Sequence, residues 1–155
     1  MMQIKKLSFK KRPIPVPGDY RPLYKISLIL LILKINGRGG KASLLKIHLF
    51  LWALKSQANM EIVQEHIQMP EFGLLNFWGM EPAATRALKF AVSENLCAIS
   101  SGKYTITSKG EEFVKKILSD KELLIDERDF LNAIGKSHLT EAHIGEITKK
   151  WKLND

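Results

Sequence analysis

The clearest structural signal in this chain lies in residues 81–116, EPAATRALKFAVSENLCAISSGKYTITSKGEEFVKK. Pro82 suits the first position of a helix, where its missing N–H would have no partner in any case. Apolar residues then recur at helical spacing, at Ala84, Ala87, Leu88, Ala91 and Val92. The opposite face carries Thr85, Arg86, Lys89 and Ser93. We therefore predict a helix with one buried face and two cations that project together from the other.

A short β-hairpin and a second helix follow without interruption. Apolar residues alternate with polar ones around Ser101 and Gly102, at Cys97, Ile99, Tyr104 and Ile106. Ser108 and Glu111 fit a capping box, and the apolar positions beyond it are Phe113, Val114 and Ile117. The order helix, hairpin, helix is that of the latter half of a winged helix, and residues 104–110, YTITSKG, resemble the strand-to-helix segment of many winged-helix proteins.

Two strongly apolar helices are predicted upstream of this block. The first begins at Arg21 and has Leu23, Ile26, Leu30 and Leu33 among many Leu and Ile residues. The glycine-rich stretch 36–40 ends it, and a second helix follows, with apolar positions at Leu44, Leu45, Ile47, Leu51, Trp52 and Leu54. Their apolar surface exceeds what a minimal winged helix needs, which is consistent with either a large internal core or a face that contacts a partner chain.

The chain is divided into three regions by composition. Residues 1–20 form a basic, proline-rich arm that would contact phosphates or an acidic partner, or would simply be solvated. Residues 21–120 are predicted to form the winged-helix domain, which includes a short helix at 60–67. Residues 121–155 form a helical extension, with buried candidates at Leu123, Leu124, Phe130, Leu131 and Ile134 and a last helix capped by Thr140. The predicted class is mainly α, with a short β-hairpin wing.

A net charge of +8 favours an anionic partner, with double-stranded DNA ahead of a membrane. If DNA binds, Arg86 and Lys89 would contact it from the recognition helix, Lys103 from the wing and Lys109 from the next helix start. Arg38 and Lys41 would attract a phosphate at a helix N-terminus. In each case solvated charge is the alternative. The long stretch between the two apolar helices and the 81–116 block weakens the case for sequence-specific readout.

Aromatic residues supply the candidates for contact with another subunit. Phe72, Phe77 and Trp78 lie in the connection 69–78, and Trp151 shares a face of the last helix with Ile144 and Ile147. The alternative is that they fill the protein's own core.

Catalytic and metal-binding patterns are weak in this sequence. His48, His66, His138 and His143 are scattered, and the last two, five residues apart, are predicted to be surface histidines. Asp126, Glu127 and Asp129 are predicted to lie on one solvated helix face. We expect no enzymatic activity, cofactor or metal.

The expected location is a reducing cytoplasm. The single Cys97 reads as a small buried thiol, because it has no second cysteine with which to form an internal disulfide. The apolar run 26–33 is bracketed by Lys25 and Lys34, too closely for a membrane span of roughly 20 apolar residues. No export signal is visible at the N-terminus.

Four segments together resemble a known family, the small middle components of bacterial three-component ABC systems. They are RPLYKISLILLILKINGRGGKASLLKIHLFLWAL, PAATRALKFAVSENL, GKYTITSKGEEFVKKIL and FLNAIGKSHLTEAHIGEITKKW. The resemblance implies a non-enzymatic subunit beside an ABC or SMC-like ATPase in an antiphage or plasmid-defence assembly of the Lamassu kind, with the ATPase and nuclease activities in other polypeptides. The alternative is a stand-alone winged-helix transcription regulator.

Overall fold

The computed structural model describes residues 22–70 and 80–153, with side chains up to residue 150. These residues are mainly helical and include a small antiparallel sheet. In chain order the elements are α1 Pro22–Asn36, β1 Lys41–Ser43, α2 Leu44–Ala53, α3 Gln57–Gln68, α4 Pro82–Ser93, β2 Cys97–Ser100, β3 Lys103–Ile106, α5 Ser108–Ser119, α6 Ile125–Ile134 and α7 Glu141–Leu153.

Helix α1 lies at the centre of the fold, as its apolar sequence predicts. Every residue from Lys25 to Leu33 is buried, and the helix contacts α2, α4, α5 and α6. Even Lys25 is only 2% exposed, and its ammonium forms an ion pair with Glu81 at 3.3 Å. The internal core therefore accounts for the apolar circumference of α1.

The three strands form a sheet in the order β1-β3-β2. Ala42 pairs with Tyr104 across one edge of β3, and Cys97 pairs with Ile106 across the other. Strand β1 was not predicted, because the sequence suggested that the second apolar helix follows the glycine-rich turn directly. A strand of three residues is too short to show a repeat, and its pairing depends on β3, which lies some 60 positions later in the chain.

Helix α4, the hairpin and α5 agree with the prediction, with two corrections. The N-cap of α5 is Thr107 and not Ser108: the Thr107 hydroxyl accepts a hydrogen bond from the Gly110 N–H at 3.1 Å. Ile99 pairs with Tyr104 yet is 55% exposed, because the core ends before the hairpin tip. The predicted apolar faces of α4 and α5 are buried except at Val92, which is half-buried.

The C-terminal helices pack onto this core. Helix α6 contacts α1, and all five apolar residues predicted to be buried in this region are buried. Thr140 caps α7 as predicted, with its hydroxyl accepting a hydrogen bond from the His143 N–H at 3.2 Å. The acidic face of α6 is only partly solvated: Asp126 and Asp129 are exposed, whereas Glu127 accepts a hydrogen bond from the Tyr24 hydroxyl at 2.7 Å.

Several predicted features lie outside the described residues. They are the basic arm 1–20, Phe72, Phe77 and Trp78, and the side chain of Trp151. Among the helices of 22–70 and 80–153, none has both the length and the apolar character needed to cross a membrane.

Candidate anion-binding site

Five cations from five separate parts of the fold line one cavity of about 450 Å³. We call it the cation cavity. Its cations are Arg38 from the turn after α1, Lys41 from β1, Lys46 from α2, Lys103 from β3 and Lys136 from the turn after α6. The first turn of α7, at Thr140, Glu141 and Ala142, completes the lining. Glu141 is the one acidic residue among the described residues that form this lining.

The chain reversal between α1 and β1 brings Arg38 and Lys41 to the cavity. Gly40 has a φ of 74°, and an added Cβ would lie 2.7 Å from the Ile106 Cγ2 atom. The Gly40 carbonyl accepts a hydrogen bond from the Ile106 N–H at 2.9 Å, which holds the turn against β3. A residue with a side chain would be strained at this position and would clash with the sheet.

A buried asparagine holds the opposite side of the cavity. The Asn36 amide donates hydrogen bonds to the carbonyls of Leu131 at 3.0 Å and Gly135 at 2.9 Å. These bonds join the end of α1 to the end of α6, immediately before Lys136. The Lys136 ammonium donates in turn to the Lys34 carbonyl at 3.1 Å.

Glu141 connects α7 to the start of α2. Its carboxylate accepts a hydrogen bond from the Ser43 N–H at 2.9 Å. The Ser43 hydroxyl caps α2 by accepting from the Lys46 N–H at 3.2 Å. The acid therefore holds two elements of the cavity together, and it also offsets part of the positive charge there.

Lys46 has the least favourable electrostatic environment in the cavity. The residue is 2% exposed, and within the described part of the chain its ammonium forms neither a hydrogen bond nor an ion pair. Burial lowers the pKa of Lys46, Glu141 opposes this shift, and the charges of Arg38, Lys103 and Lys136 add to it. A bound anion would relieve both the desolvation and the repulsion.

The structure separates the predicted nucleic-acid-binding residues into two groups. Arg38, Lys41 and Lys103 line the cation cavity. Arg86 and Lys89 are exposed on α4 and are not part of that lining.

Lys109 has an intramolecular partner instead. Its ammonium donates to the Glu94 carbonyl at 2.8 Å, at the C-terminal end of α4. A cation at the C-terminal end of a helix is favourable, so Lys109 has a structural role there.

The sequence predicts that Arg38 and Lys41 lie at a helix N-terminus, and the structure corrects this placement. They do not lie at a helix N-terminus, because Lys41 belongs to β1 and α2 begins at Leu44 with Ser43 as its cap. Sequence reasoning missed Lys46, Lys136 and Glu141. One signal was available: Lys46 is the only cation in LLKIHLFLWA, the otherwise mainly apolar α2.

A second polar cluster surrounds Glu81, at a smaller cavity of about 260 Å³. The Glu81 carboxylate pairs with Lys25 at 3.3 Å and Lys55 at 3.0 Å. Although burial alone would raise it, these lysines hold the pKa of Glu81 below its ordinary value. The Glu81 N–H donates to Nδ1 of His48 at 3.4 Å, and burial lowers the pKa of His48. A neutral imidazole accepting this hydrogen bond fits the geometry.

The histidines are less scattered than the sequence suggests. His66 on α3 and His143 on α7 lie with their Nε2 atoms 2.9 Å apart, so one ring donates a hydrogen bond to the other. His143 is half-buried, which corrects its prediction as a surface residue, whereas His138 is exposed. Within 22–70 and 80–153, no group of three or more His, Cys, Asp or Glu residues could hold a metal ion.

Cys97 is buried at the start of β2, as predicted for a small core thiol. Burial raises the pKa of the Cys97 thiol to about 11, so its reactive thiolate is scarce at neutral pH.

Comparison with known proteins finds no matching family model, no matching curated protein and no matching solved structure.

Proposed function

We propose that this protein is a non-enzymatic winged-helix accessory subunit of a bacterial ABC or SMC-like ATPase assembly. In this proposal the assembly acts in antiphage or plasmid defence, and the subunit supports both its assembly and its engagement of double-stranded DNA. The observation that carries the proposal is the order of the elements combined with the strand pairing β1-β3-β2. In a winged helix the strand after the first helix pairs with the second strand of the wing, and the recognition helix immediately precedes the wing.

In this proposal α4, which directly precedes the hairpin, is the recognition helix, and its exposed face carries Arg86 and Lys89. Neither side chain forms a hydrogen bond or ion pair within the described ranges, so both charges are available to phosphates. Helix α3 lies in the chain between α2 and α4, where a minimal helix-turn-helix has only a short turn. This insertion favours backbone contact over the reading of a specific sequence.

Helix α4 and the hairpin also have exposed apolar side chains suited to a protein partner. Phe90 on α4 is 39% exposed, and Ile99 on β2 is 55% exposed. Aromatic residues are enriched at protein interfaces, and an exposed mixture of apolar and cationic groups serves protein and phosphate contacts equally well. The choice of an ABC or SMC-like ATPase as the partner comes from the family resemblance of the sequence.

The proposal predicts an ABC or SMC-like ATPase gene beside the gene for this chain, and co-expression of the two proteins tests it. We expect a stable complex that survives nuclease treatment and that binds duplex DNA with little dependence on sequence. The double variant Arg86→Ala and Lys89→Ala should weaken duplex binding and reduce the slope of log K against log salt by about 2, since each phosphate contact contributes about 0.9. Assembly of the complex should be unchanged.

The matched control is Lys121→Ala with Lys149→Ala, which removes the same charge from exposed positions outside α4. Its effect on the salt slope should be small. If no complex forms and the chain alone protects a discrete palindromic sequence, the protein is a stand-alone regulator and the proposal is wrong.

A further inference from the structure

We propose that the cation cavity binds a compact anion of the diphosphate class, such as inorganic pyrophosphate or the diphosphate group of a nucleotide. This site is additional to the nucleic-acid contacts proposed for α4. It would give the subunit a small-molecule ligand that the proposed winged-helix role does not require.

The excess of positive charge in the cavity favours an anionic ligand. Arg38, Lys41, Lys46, Lys103 and Lys136 converge on one cavity with Glu141 as the only acid among its described lining residues. These cations come from positions spread over about 100 residues of the chain, so no local helix pattern explains their convergence. Like charges held close together repel each other, and a multivalent anion removes that repulsion.

The burial of Lys46 also favours a negatively charged ligand. An ammonium at a residue that is 2% exposed would ordinarily have an ion pair or several hydrogen bonds. Lys46 forms neither with any residue of 22–70 or 80–153, yet it lines the cavity. A ligand that carries negative charge would satisfy it.

The position of α7 favours phosphate as the ligand's anionic group. Its first turn, Thr140 to Ala142, lines the same cavity, and this helix is 13 residues long. The N-terminal end of a helix has N–H groups without a partner inside the helix and the positive end of the helix dipole, both of which favour phosphate. Because Thr140 already caps the His143 N–H, a ligand would use the N–H groups of Glu141 and Ala142. Here the buried Lys46 and the helix terminus point to the same ligand chemistry.

The lining also limits what the ligand can be. Among the described residues of the lining, Ala142 is the only apolar one, and none has an aromatic side chain that could stack against a base. A volume of about 450 Å³ is in the lower part of the range for small-molecule sites. The cavity is therefore suited to a small, highly charged ligand that is recognised by its phosphates.

Titration calorimetry of the full-length chain with inorganic pyrophosphate tests this site. We expect saturable binding at fixed ionic strength, whereas chloride at the same ionic strength should give none. Lys46→Met should weaken the affinity about tenfold or more, because it removes a charged hydrogen-bond donor from the cavity. Lys121→Met, an exposed lysine outside the cavity, is the matched control and should bind as the wild type does.

A second variant has the opposite expected sign and does not depend on Lys46. Glu141→Gln keeps an oxygen that can accept from the Ser43 N–H but removes the one negative charge of the lining. Pyrophosphate affinity should increase about threefold, as expected for the removal of one nearby like charge in a largely aqueous environment. Adenosine diphosphate and adenosine distinguish the two sources of the diphosphate group. Tighter binding of adenosine diphosphate than of inorganic pyrophosphate identifies a nucleotide ligand, and equal binding of these two compounds identifies the inorganic anion.

Three results would overturn the proposal: no saturable binding of pyrophosphate, equal binding by wild type and Lys46→Met, or weaker binding by Glu141→Gln. The Arg86→Ala and Lys89→Ala variant should bind pyrophosphate normally, because neither residue lines the cavity. The anion site and the proposed contact with DNA through α4 can therefore fail independently.

Discussion

The contact between α5 and the segment before the hairpin can be tested at Gly110, in the first turn of α5. An added Cβ would lie 2.8 Å from the Ile106 Cγ1 atom and closer still to the backbone carbonyl of Leu96. That carbonyl already accepts a hydrogen bond from the Thr107 N–H at 3.1 Å, so it cannot move away without breaking this bond. Gly110→Ala should therefore disturb both the packing and the cap of α5.

The size of this effect follows from three contributions. Overpacking in a tight site costs about 1–3 kcal/mol. Weakening the hydrogen bond to Leu96 adds about 0.5–1.5 kcal/mol. The higher helix propensity of alanine, compared with glycine, offsets about 1 kcal/mol of this loss. The net loss in the free energy of unfolding should be about 2 kcal/mol, which lowers Tm by about 4–8 °C in a chain of this size.

Gly145 in α7 supplies the matched control, since among the described residues no atom beyond its chain neighbours and its own helix backbone lies within 4 Å of an added Cβ. Gly145→Ala should stabilise the protein by about 0.5–1 kcal/mol. Urea unfolding followed by circular dichroism measures both variants, and unchanged m-values would show that the denatured state is not responsible. If Gly110→Ala is neutral or stabilising like Gly145→Ala, α5 does not pack on the Leu96 carbonyl as described.

Three further changes test other parts of the structure. Asn36→Ala removes two buried hydrogen bonds and leaves the carbonyls of Leu131 and Gly135 without that donor, so the free energy of unfolding should fall by about 2–4 kcal/mol; a loss below about 1 kcal/mol in urea unfolding would contradict this. Burial lowers the pKa of His48, so on acidification the unfolded state binds a proton at this residue before the folded state does. The free energy of unfolding should therefore fall as pH drops from about 6.5 towards the lowered pKa. His48→Asn retains an acceptor for the Glu81 N–H and should flatten this part of the pH–stability curve, whereas an unchanged curve would refute the assignment. Burial also lowers the pKa of Lys46, so wild-type stability should rise as pH increases through that lowered pKa towards about 10.5. Lys46→Met should abolish that rise and increase the free energy of unfolding at pH 7, because it removes a charge from an unfavourable environment. A lower Tm at pH 7 would contradict this.

The elements that sequence reasoning predicted correctly have their information in local patterns. Helix α4 has an apolar face at helical spacing, the hairpin has a glycine in its tight turn, and α1 is apolar around most of its circumference. These patterns predict burial against something without requiring knowledge of the neighbour. The capping residue of α5 was displaced by one position because Thr107 and Ser108 are both acceptable caps by residue type.

The elements that were missed depend on tertiary contacts. Strand β1 exists through its pairing with β3, and the His66–His143 contact joins two helices 77 positions apart. The cation cavity requires Arg38 and Lys136 to meet, which is a consequence of the hydrogen bonds from Asn36 to the end of α6. Charge in a sequence indicates an anionic partner, but only the fold shows which cations converge.

An affinity pull-down of the tagged chain from its native host, with a nuclease-treated control, tests the central claim most directly. We predict that an ABC or SMC-like ATPase is recovered in stoichiometric amount and that it remains after nuclease treatment. Recovery of the chain without any such ATPase, together with one discrete DNA fragment, would contradict the account and identify a stand-alone regulator.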